Sequence, residues 1–323
     1  VDLRKVEFKM STQKVIRFMR YRVHTTIISL ILVVASIISL AVNGLNLGLD
    51  FTGGTLVELH YSEAPELEAV RKQLSDAGFP GAVVVHFGSE TELLVRLRSD
   101  TGESAQLAAT NVGEQIVAAL REVTPGLQID VLRSEIIGAQ MGEELVSDGI
   151  LGVLAAFSGI FLYVAVRFQR KFSTGAVVAL VHDVILVLGV FSVTRLEVDL
   201  TVLAAVLAVI GYSINDTIVV ADRIRENFRI MRVETVEEIV DTSLTQTLGR
   251  TMLTSGTTML VLFALLFVGG ELIQNFSIAL IVGIAVGTYS SIYIAAAIML
   301  WMNLTREDLM PPVKEGAEQN ELP

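Results

Sequence analysis

Residues 200–221 read LTVLAAVLAVIGYSINDTIVVA, an apolar run whose one ionisable side chain is Asp216. The stretch shows no polar–apolar alternation, so it reads as a helix rather than a strand. Roughly 20 apolar residues in a helix cross the hydrocarbon core of a bilayer. Hydrocarbon offers the backbone no water to bond, so only helices or closed barrels span it. Five further runs share this character. They are residues 25–49, 149–166, 172–194 (interrupted only by His182 and Asp183), 251–270 and 272–305. The expected fold is a polytopic α-helical membrane protein with six spans. Composition agrees: the 323 residues are 52% hydrophobic and 18% charged, with a mean hydropathy of +0.61.

The absence of cysteine excludes disulfides and thiolate metal sites. Ser39 and Ala41 have the small-residue spacing of a signal cleavage site. The apolar run around them is longer than a signal core and follows a long basic segment, so an uncleaved span is expected.

Orientation follows from Lys and Arg. Of the 24 in the chain, seventeen fall before the first span, after the second and fourth spans, or in the tail. The remaining seven lie on the other side, mostly inside one folded region. Both termini are therefore expected in the cytoplasm. The segments are 1–24 (cytoplasmic), 25–44 (first span), 45–145 (a periplasmic domain), 146–305 (spans two to six, with a cytoplasmic amphipathic loop near 223–245) and 306–323 (a cytoplasmic tail). Trp301 and Tyr163 sit where interfacial aromatic anchors are common.

The periplasmic region alternates between elements. Gly54 to Tyr61 reads as a strand and Pro65 to Gly78 as a helix. Ala82 to Phe87 and Glu92 to Arg98 form a hairpin around Gly88 and Ser89. Ser104 to Val123 is an amphipathic helix, and Leu127 to Ile137 a last strand. This βαββαβ order is that of a ferredoxin-like α+β domain. His60 and His86 lack ligand spacing, so no metal or cofactor is expected there.

Ionisable groups inside a bilayer are costly and mark function by default. Asp216 stands among Ser213, Asn215 and Thr217. Arg250 opens the fifth span, followed by Thr251, Thr254, Ser255, Thr257 and Thr258, too many hydroxyls for a lipid-facing surface. His182 and Asp183 are a second polar pair in the third span. Ala279, Gly283 and Gly287 recur every four residues, a small-residue pattern that lets helices approach closely. No G-x-x-x-x-G-K-[ST] phosphate loop is present. Two intramembrane aspartates without a supporting motif make a poor case for an aspartyl protease. No enzymatic activity is expected.

Several long motifs carry a family resemblance. Gly48-Leu49-Asp50-Phe51-Thr52-Gly53-Gly54, the run from Ala205 to Asn227, Arg250-Thr251 with Thr254-Ser255-Gly256-Thr257-Thr258, Gly269-Gly270, and Gly283 to Ser291 together resemble the SecD/SecF family. His182-Asp183 and Val166-Arg167-Phe168 fit as well. One departure is Gly138-Ala139-Gln140-Met141-Gly142, where the family tends to carry Gly-Pro; it puts the local hinge in doubt. The resemblance implies half of an RND-like membrane unit in the bacterial inner membrane. It implies an accessory role in the Sec pathway, driven by the proton-motive force, with SecD, the SecYEG channel, YajC and a translocating preprotein as partners, and no nucleic acid. Asp216 and Arg250 take the proton-relay positions, and SecD supplies a further carboxylate. His182, Asp183, Asn215, Ser213, Thr217 and Thr254 are possible supporting groups. An RND-type exporter of small molecules or lipids, or a passive scaffold for SecD, are the alternative readings.

Overall fold

The computed structural model describes residues 15–98, 112–123, 128–167 and 170–305. Six of its helices are long and apolar enough to cross a membrane. The first, α1 (Arg22–Asn43), ends at Gly44, whose φ of 66° stops it. After the two-residue strand β1 (Asn46–Leu47) comes a one-turn helix, α2 (Leu49–Thr52). Then β2 (Gly54–Tyr61), α3 (Leu67–Asp76), β3 (Val83–Phe87), β4 (Ser89–Arg98), α4 (Val112–Val123) and β5 (Ile129–Ile137) make the extramembrane domain. Its sheet has the order β3-β4-β2-β5, all neighbours antiparallel. That is a ferredoxin-like arrangement, in which two split βαβ units interlock.

One face of the sheet is sealed by α3 and α4. Val57, Leu59 and Tyr61 of β2 meet Val70 and Leu74 of α3 and Ile116, Val117 and Leu120 of α4. The period-two alternation of β2 places those three side chains on one face. The Tyr61 hydroxyl is buried there without a hydrogen-bond partner, and burial pushes its phenol up to about 12.

The chain returns to the bundle through Gly138 alone and enters α5 (Ala139–Arg167). Next come α6 (Arg170–Thr194), a two-residue strand β6 (Glu197–Val198), α7 (Leu200–Ile230) and α8 (Val236–Val268). A 3-10 turn (Glu271–Ile273) leads into α9 (Gln274–Ser290). A π-helical turn (Ser291–Ala295) then passes into α10 (Ala296–Trp301). The bundle core is built mainly on α6, α7 and the α9–α10 segment, while α1 and α5 present most of their surface outward.

Three differences from the sequence reading stand among the described residues. The amphipathic loop helix expected near 223–245 does not exist as a separate element. α7 instead runs on to Ile230, and α8 begins at Val236, set by a capping box in which Thr235 and Glu238 satisfy each other's backbone N–H groups. Charge ended the apolar runs on paper, but charged residues are good helix formers and did not end the helices. The second amphipathic helix of the domain is described from Val112; residues 104–111 lie outside the described residues, as do 1–14 and 306–323. The departure at Gly138–Gly142 leaves α5 uninterrupted. Finally, β1 and β6 pair in parallel, Asn46 with Glu197 and Leu47 with Val198.

Candidate functional site

The glycine motif at 48–54 builds the joint between domain and bundle. Asp50 Oδ2 accepts the Leu200 N–H at 3.1 Å, and Asp199 Oδ1 accepts the Val202 N–H at 2.9 Å. Two carboxylates thus cap the first turn of α7, where backbone donors lack helical partners. Phe51 is buried, and its carbonyl oxygen lies only 2.3 Å from where a Cβ on Gly142 would stand. Thr52 Oγ1 donates to the Gly48 carbonyl and closes the turn. Gly53 ends the turn at φ 73°, and Gly54 lies so close to β4 that a Cβ would stand 2.1 Å from the Leu97 carbonyl oxygen. Both glycines are therefore required by geometry.

Asp216 sits in α7, 4% exposed, with Oδ2 buried and unpartnered. Thr217, beside it, donates to the Ser213 carbonyl one turn back. Arg250 of α8 interacts electrostatically with Asp216 but forms no contact ion pair with it; its own side lies on an exposed face. Thr254 Oγ1 donates to the Arg250 carbonyl, so this hydroxyl satisfies helix backbone rather than the guanidinium. Asn215 faces outward, away from Asp216.

His182 and Asp183 lie within the bundle, 7% and 1% exposed. Nδ1 of His182 is 2.9 Å from Asp183 Oδ1. Ser213 of α7 and Ser290 of α9 both donate to Asp183 Oδ2, at 2.6 and 2.8 Å. Gly283 and Gly287 let α9 lie against α7. A Cβ on Gly283 would stand 2.1 Å from Val209 Cγ2, and one on Gly287 would stand 3.0 Å from Ser213 Cβ. The structure therefore brings Asp183, Ser213, Gly287 and Ser290 into one cluster that sequence spacing did not join. Among the described residues no group of three His, Asp or Glu side chains is placed to hold a metal.

At the far end of the bundle, Asp241 of α8 was missed as a structural anchor. Its Oδ1 accepts the Met19 N–H at 2.9 Å, Thr245 Oγ1 accepts the Ile16 N–H, and Arg22 pairs with Glu237 at 2.7 Å.

The profile of the family described as protein export membrane protein SecD/SecF, C-terminal, matches residues 115–305, and that of the SecD/SecF GG motif matches residues 38–65. The chain belongs to the SecD/SecF family. The curated relatives include the protein translocase subunit SecF of Vibrio alginolyticus, 47% identical over 97% of this chain and 99% of that one. They also include SecF of Pseudomonas aeruginosa, 50% identical over 92% of this chain and 94% of that one. Among solved structures, SecDF of Thermus thermophilus, a translocon-associated membrane protein, superposes with a TM-score of 0.72 at 38% identity. It is matched over 90% of this chain, which spans 39% of the SecDF chain. For the SecD/SecF family motif, the joint described above supplies the physical content: Asp50 caps a span, and the two glycines turn the backbone and let it approach β4.

Proposed function

We propose that this chain works as the SecF subunit of a SecD–SecF complex in a bacterial inner membrane. There it uses the proton-motive force to drive preprotein export on the periplasmic side, next to SecYEG and YajC. The observation that carries this reading is Asp216: a carboxylate buried in a membrane helix, one oxygen unpartnered, within electrostatic reach of Arg250. A buried carboxylate with an open oxygen is a place for a proton to bind and leave. SecD as the neighbour is supported by the exposed face around Arg250. Gly211, Gly249 and Gly256 would each admit a Cβ without touching anything in this chain, and Asn215 is exposed beside them. Such a small, polar face is poorly suited to lipid and well suited to a second helix bundle. The orientation rests on the Lys and Arg distribution, which puts the α+β domain in the periplasm.

Each charge crossing is worth about 2.3 kcal/mol per 100 mV, so a few protons suffice to bias a two-state movement of the domain. The test is Asp216→Asn in the assembled complex. Proton flux in vesicles and the part of preprotein release that depends on the proton-motive force should both vanish at normal membrane levels. Parent-like behaviour in both assays would leave only a scaffold role.

A further inference from the structure

The cluster around Asp183 is not needed to explain a relay through Asp216 and Arg250, yet it sits beside it. Ser213, which donates to Asp183, is one helical turn from Asp216 on α7. Resting on the relay reading above, we propose that Asp183 is a positioning residue whose protonation unlatches α9 from α6 and α7 next to Asp216.

Hydrogen-bond supply decides which bond gives way. An ionised carboxylate only accepts. Here Oδ2 accepts from both Ser213 and Ser290, and Oδ1 takes Nδ1–H of His182. That bond leaves His182 Nε2 as a lone pair, and it is buried with no partner. A proton arriving at Asp183 forms an Oδ2–H bond. That oxygen then donates as well as accepts, and it cannot keep both hydroxyls. Ser290 has a second acceptor within reach, the Gly287 carbonyl at 3.1 Å. A hydroxyl carries one hydrogen, so Ser290 already has two destinations for it. Ser290 is therefore the bond that lets go.

The backbone beyond Ser290 is built to respond. The π turn from Ser291 to Ala295 begins at the next residue. Its i→i+5 bonding is rare and is concentrated at functional sites. It packs on α6 at Gly175, where a Cβ would stand 3.0 Å from the Ala295 carbonyl oxygen. Release of Ser290 thus frees α9 at the junction of a regular helix with a wide turn, where Gly287 faces Ser213 of α7. Among the titratable and charged groups, His182 on α6 touches Asp183, Asp216 lies one turn from Ser213 on α7, and Arg250 on α8 acts on Asp216. α9 and the π turn bring hydroxyls and the phenols of Tyr289 and Tyr293, the latter within electrostatic reach of Asp241 on α8. When the proton leaves, the carboxylate regains both serine donors and the latch closes.

The test uses the full chain in its complex, with proton flux in vesicles measured against pH for Asp183→Asn, Ser290→Ala and Asp216→Asn at matched membrane levels. Asp183→Asn keeps the shape of the side chain but cannot be protonated; flux should fall by about tenfold or more, the scale of a lost charge-assisted bond. Ser290→Ala removes the bond that the latch releases, so the pH profile of flux should change from that of the parent. A merely structural serine would leave that profile unmoved. If Asp183→Asn fails to accumulate, the Ser290→Ala profile decides alone. Loss of flux in Asp216→Asn with parent-like rate and profile in the other two variants would keep the relay and overturn the latch. Normal flux in Asp216→Asn would instead overturn the relay itself.

Discussion

Single residues in this protein divide by whether their polar atoms are matched. Asp50 and Asp199 serve as caps, and Asp183 takes three donors. Asp216 stands apart because its Oδ2 is buried with no donor. For its partner, Arg250→Lys should impair proton flux more than a charge-conserving change suggests, since lysine lacks the planar fork. Flux at matched expression measures it, with parent-like rates counting against the role of Arg250. In the extramembrane domain, Tyr61 carries an unmatched hydroxyl. In residues 54–137 expressed alone, Tyr61→Phe should hold or raise stability by about 1 kcal/mol, because no buried hydroxyl is then left unbonded. Its folded phenol ionises at about 12, above the usual value near 10. Stability from Tyr61 is thus complete below pH 10 and is lost as pH climbs from 10 to 12; Tyr61→Phe should remove that part of the alkaline loss in urea melts. Asp216 was legible in the sequence because a carboxylate in an apolar run is conspicuous. The three-donor clasp on Asp183 was not, since it depends on how three distant helices rotate against each other.

At the scale of elements, the helices outran the apolar segments that announced them. Period and length found all six spans, but charged turns such as Arg223 to Arg229 continue α7 instead of ending it. The short pairing of β1 with β6 was invisible, because two residues carry no period. The strands of the domain fared better: β2 spans Gly54–Tyr61, the bounds its alternation marked. The small-residue spacing on α9 suggested a close helix contact, while neither α7 as its partner nor the side chains it meets were legible. Gly283→Ala should cost about 1–3 kcal/mol, because Val209 is branched at Cβ and has little room to retreat. Thermal melts of the purified chain in detergent measure it, and an unchanged midpoint would show that α7 and α9 separate easily. Gly256→Ala, whose added methyl would touch nothing in this chain, is the control and should leave the isolated chain unaffected.

Across the whole molecule, the domain meets the bundle where Arg96 faces Glu197 at 3.7 Å and where Arg98 bonds Asn46 and the Leu47 carbonyl just past the first span. With no native cysteine to interfere, single-cysteine variants can fix the orientation. Glu90→Cys, in the exposed β3–β4 hairpin, should react with an impermeant thiol reagent in intact cells stripped of their outer membrane. Val233→Cys, 94% exposed between α7 and α8, should react only after lysis. The reverse pattern would invert the molecule in the bilayer. The passage from β5 to α5 has a mechanical meaning of its own. Only Gly138 separates a sheet strand from a 29-residue helix, so any tilt of the helix is handed to the sheet across one residue. At 1.5 Å per residue that helix is about 40 Å long, and a tilt of about 10° sweeps its end through about 7 Å. A small tilt within the hydrocarbon would thus reach β5 as a stroke of several ångströms, with one residue between them.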